Sequence, residues 1–178
     1  VEVLFASSES KREWVDAVVK AFNARKVQVD GKSVVVTANH MRTGESRQGI
    51  LDGTEKPTIW SPPGHAWIRL INRDWQLREG KNLLADDTRD TARTALVIAI
   101  WEPMARALGW PAKPLGWADL RAIAENPRGW GAVGHPEWHR FKFGHAHPDH
   151  SNSAMLSVIS LVYAAVGKTS GLTLDDMR

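Results

Sequence analysis

The 178-residue chain contains no cysteine, which excludes disulfide bonds and any zinc site built on thiolates. It has one tyrosine and four phenylalanines, so most aromatic packing falls to its nine tryptophans. No apolar stretch reaches the roughly 20 consecutive residues that a helix needs to span a bilayer. The longest, near 95–101 and 155–166, have the size of core segments. There is no block of like charge either: 23 Lys and Arg are scattered among 20 Asp and Glu, for a formal net charge of +3. Such a dispersed, mildly basic surface lacks the cationic stripe that nucleic acids call for, so no nucleic-acid partner is expected. What the chain does have is 43% hydrophobic residues, enough for one large core or two small lobes.

Hydrophobic periodicity lays out a βαβαβ opening, the pattern of a parallel sheet. Residues 2–6 read as a buried strand, followed by a helix with Trp14, Val15, Val18, Val19 and Phe22 on one face, and Ser10 with Glu13 fits a capping box. A β-branched strand over 33–38, a short helix over 44–51 closed by Gly53, and a strand over 57–60 come next. Beyond a helix near 66–72, the segment 76–93 reads as loop, and the passage from a first lobe (1–93) to the start of a second (94–178) is placed there. In the second lobe the spacing predicts a strand at the start of 94–101, helices over 102–108, 117–125 and 151–166, and a strand around Lys142. Trp14, Trp101 and Trp117 fit core positions, while Trp60 and Trp138 are candidates to wall a pocket or stack on a sugar.

In an open parallel sheet, ligands sit beyond the carboxyl ends of the strands, where the following helices point their free N–H groups. Small hydroxyls recur there: Ser7 and Ser8 after the first strand, Thr43 before the second helix and Ser61 after the third strand. Ser151, Asn152 and Ser153 supply the same chemistry at the start of the last long helix. Each alone fits plain helix capping; recurrence at successive strand ends is what points to binding. Apart from Arg42 no Lys or Arg adjoins them in sequence, so they suit a small polar or anionic ligand held by neutral donors. No cofactor is expected.

The segment His145-Ala146-His147-Pro148-Asp149-His150 spells HxHxDH, which resembles the dinuclear metal motif of metallo-β-lactamase-type hydrolases. Imidazole and carboxylate are suitable zinc ligands, and a metal-bound water would be the nucleophile. No later histidine completes the set, and Ser-Asn-Ser stands where a Gly-rich turn belongs, so this zinc hydrolase is the alternative reading. A surface protein-interaction module is a third. No G-x-S-x-G elbow is present for a serine hydrolase.

The opening VEVLFASSESKREWVDAVVKAFN, PTIWSP at 57–62, LGWADL at 115–120 and FKFGHAHPDHSNSAMLSVISLVYAAVGKTSGLT at 141–173 together resemble bacterial extracellular solute-binding proteins. More narrowly, they are similar to the branch with a molybdate-binding-protein-like, type II periplasmic-binding-protein fold, some members of which also carry a von Willebrand factor A domain. The resemblance implies an α/β protein of two lobes, with parallel-rich sheets flanked by helices and the second lobe incomplete. It also implies a ligand cleft between the lobes, and no catalysis. Ser7, Ser8, Thr43, Ser61 and Ser151 to Ser153 match the family's binding positions; Ala154 departs from the usual glycine. Solute capture would serve ABC transporter membrane subunits or a surface sensor, in an extracytoplasmic setting. A start at Val1 fits a removed signal peptide, and an end at Arg178 soon after Gly171 fits a fragment.

Overall fold

The computed structural model describes residues 1–85 and 88–177. It is an α/β protein whose contacts divide it into two units, Val1–Thr91 with Asp149–Asn152, and Ala92–Pro148 with Ser153–Arg178.

The first unit is built on three parallel strands. β1 (Glu2–Ser8) lies between β4 (Val35–Met41) and β5 (Ile59–Ser61). A two-residue-strand hairpin, β2 (Gln28–Val29) with β3 (Lys32–Ser33), precedes β4, so the strand predicted over 33–38 begins and ends later than its β-branched run. Helix α1 (Arg12–Ala24) follows β1, α2 (Thr43–Asp52) joins β4 to β5, and α3 (His65–Glu79) follows β5. Strand neighbours in register share a face of the sheet while successive residues alternate. Ser7 therefore shares one face with His40 and Ser61, and His40 reaches Asp16 of α1. Trp60 points to the opposite face, where it meets Ser46 of α2, and α2 packs on α3. The helices after β1 and β5 thus leave on opposite sides, which makes the gap between these strands a topological switch point.

Local chemistry sets the helix limits. α2 stops where Gly53 turns left-handed, with φ 76°, a conformation that costs a residue with a Cβ. α3 places Trp67 and Ile71 one turn apart on the buried side and continues well past the predicted end at residue 72, because Leu70 to Trp75 keep a helical face. The predicted Ser10 cap does not form. Residues Glu9–Lys11 make a turn of 3-10 helix, α1 starts at Arg12, and Ser10 instead bonds the Ser8 hydroxyl at 3.1 Å.

The second unit carries helices α4 (Glu102–Ala107), α5 (Trp117–Glu125) and α6, which runs Asn152–Val166 from the boundary between the units. α5 matches its predicted span; Asn126, ahead of Pro127, is extended and cannot continue it. Neither predicted strand of this unit forms. Residues 94–100 form no helix or strand and pair with no described backbone, and Phe141 and Phe143 turn their rings to an aromatic cluster instead. There Trp130, buried, meets Trp138 edge-on at 5.5 Å, His135 stacks flat on Trp138 at 3.8 Å, and Phe143 meets Trp117 at 5.4 Å. Trp14 and Trp101 do not join a core: they are 45% and 78% exposed. No described helix is long and apolar enough to cross a membrane.

Candidate functional site

The carboxyl ends of β1 and β5 hold a cluster of buried and half-buried hydroxyls. Ser7 and Ser8 are the last residues of β1, not part of the loop after it, and Ser61 is the last of β5. Because the strand runs this far, their backbones join the sheet ladder and their hydroxyls are carried into the interior: Ser7 is 3% and Ser8 6% exposed. Among the described residues the Ser7 hydroxyl makes one weak bond, donating to the Ser8 carbonyl at 3.4 Å. Thr43, first residue of α2 and 5% exposed, makes no side-chain hydrogen bond among the described residues. A buried hydroxyl normally finds a well-made partner, so the Ser7 hydroxyl has hydrogen-bonding capacity to spare.

Residues 149–152 complete this unit. A Cβ at Gly44 would run into the carbonyl oxygen of Asp149, so the start of α2 lies flat against that segment. Asn152 accepts from the Trp67 indole at 3.1 Å and sits against Gly64. Asn152 is thereby a structural partner of α3, and Ser151 belongs to the same unit, whereas Ser153 is counted with the second unit, where its carbonyl accepts from Ser157 at 2.8 Å. Within the first unit the structure sets Ser7 beside Ser61 in register, with Ser8 next along β1, and Thr43 just past the end of the neighbouring strand β4.

Sequence reasoning missed three participants. Lys11, four residues from Ser7 in sequence, folds back through the 3-10 turn so that its Nζ donates to the Ser61 carbonyl at 2.8 Å and to the Ser61 Oγ at 2.6 Å. This corrects the expectation of a site with no Lys beside it; a strand-to-turn reversal is not visible in residue spacing. Burial pushes the Lys11 ammonium below its ordinary value. Arg42, the one cation expected nearby, is exposed and faces Glu45 at 3.6 Å. His40, whose ring is buried, bonds Asp16 at 2.8 Å through Nε2, while its Nδ1 is buried with no partner among the described residues. Ser46 holds the Trp60 indole at 2.9 Å, which ties Trp60 to α2, and Trp138 packs against His135 and Trp130.

The HxHxDH segment does not converge as a metal site. Among the described residues, no three His, Asp or Glu side chains gather with the geometry to hold an ion. His145 turns its Nδ1 to the Ala146 carbonyl at 2.6 Å. Compared with known protein families, with curated proteins and with solved structures, the chain matches none.

Proposed function

We propose that this chain is an extracytoplasmic solute-binding protein of the type II periplasmic-binding-protein kind, which captures a small polar or anionic ligand and leaves it chemically unaltered. The observation that carries this reading is the grouping of Ser7, Ser8 and Ser61 at a topological switch point, with the Ser7 hydroxyl only weakly bonded. The wider resemblance in the β1, PTIWSP and Ser-Asn-Ser segments supports it. Ligand occupancy would bias a conformational equilibrium read by ABC transporter membrane subunits or by a surface sensor. Ser151 and Asn152 belong to the segment that packs on the first unit, Asp149 and His150 against Gly44 of α2 and Asn152 against Trp67 of α3.

Native mass spectrometry of protein purified without added ligand tests it: a co-purifying small molecule, lost in Ser7→Ala with Ser61→Ala while the fold persists, is the expected result. Equal retention by the double variant removes these hydroxyls from the site. A surface interaction module is the second reading, favoured by the exposed apolar side chains of Val97 and Trp101; it predicts no co-purifying solute.

A further inference from the structure

The charge at the switch point narrows the class of ligand. Lys11 is half-buried, and both of its bonds go to neutral oxygens of Ser61. No carboxylate of the described residues lies within 4.0 Å of its ammonium, and its lowered pKa comes from burial without help from a neighbouring charge. A cation drawn out of water without a counter-ion is destabilised, and relief comes either from losing the proton or from gaining an anion. The ammonium carries three donors and Ser61 takes two. On the same face of the sheet, Ser7 in register with Ser61 holds an under-bonded hydroxyl. The third ammonium donor, held by the turn after β1, and the weakly bonded Ser7 hydroxyl suit a single acceptor group of negative charge; a neutral polyol would leave the cation uncompensated.

We infer that Lys11 is the specificity-determining residue of the solute site, and that the ligand presents an anionic oxygen head group to Lys11 and the hydroxyls of Ser7 and Ser61. The inference rests on the solute-binding reading. Titration calorimetry of the whole chain tests it, with sulfate, phosphate and acetate as anionic probes and ribose as the neutral one, on wild type and Lys11→Met. The expected result is binding of at least one anion to wild type, weakened about tenfold or more in Lys11→Met, and no heat with ribose. Sulfate or phosphate alone marks an inorganic oxyanion head group; acetate alone marks a carboxylate. Lys11→Gln, which keeps a donor toward Ser61, gives the same comparison if Lys11→Met does not fold. Anions that bind both variants as tightly as wild type, or ribose bound in place of the anions, overturn the inference and leave solute binding standing. Silence with every probe overturns both.

Discussion

Asp119 shows how one carboxylate organises its surroundings. Lys113 pairs with it, and the Gly116 N–H donates to its Oδ2 at 2.9 Å, closing the first turn of α5. These partners, Lys113 first, hold the carboxyl below its ordinary value. A carboxyl depressed in the folded state adds stability above its unfolded pKa and loses it as pH falls through the folded one. Asp119→Ala is therefore expected to cost about 1 kcal/mol at neutral pH, and clearly less in acid below the lowered carboxyl pKa, in urea unfolding at the two conditions. Asp176 follows the same rule. Lys168 and then the Thr173 N–H and hydroxyl hold it at about 2. A carboxyl NMR titration should show its midpoint there, and Lys168→Met should move the midpoint up toward the ordinary carboxylate range; an unmoved midpoint would mean that Thr173 alone sets it.

Among the elements, those whose sequence stated both a pattern and a stop were legible. α5 has Trp117, Leu120 and Ile123 on one face and Pro127 beyond, and α2 has Gly53, so both lie close to where residue spacing puts them. The strand ends were not. Nothing local tells Ser7 and Ser8 to stay in β1; they do so because β4 and β5 offer partners out to His40, Met41 and Ser61. The same non-local logic runs in reverse at 94–100, an apolar run that reads as a strand but finds no pairing strand among the described residues. The candidate hydroxyls were legible as residue types; Lys11 was not, because only a chain reversal carries it to Ser61. Gly44 belongs to this scale too. The carbonyl of Asp149 fills the place of its missing side chain, so Gly44→Ala forces α2 and residues 149–150 apart and should destabilise the first unit by about 1–3 kcal/mol, read by chemical denaturation.

For the molecule as a whole, secondary structure is unevenly shared. The first unit holds every described strand, while the second has helices and an aromatic cluster around buried Trp130, with Leu96, Val97, Ile98 and Ile100 lining a cavity of about 700 Å³ beside Trp110 and Trp117. Amide protection follows backbone pairing. Hydrogen exchange followed by mass spectrometry should find β1 and β4 slow and 94–100 fast; slow exchange at 94–100 would reveal a pairing partner absent from this chain's described contacts. The borrowed segment 149–152 also has a consequence for biosynthesis. A ribosome delivers β1, β4, β5 and all three of their helices long before it delivers the tetrapeptide that backs Gly44 and caps the Trp67 indole. Nascent chains fold from the N-terminus as they emerge, so the sheet can assemble early yet waits, with that floor unlaid, until Asn152 clears the exit tunnel. That interval is when a chaperone has most to do.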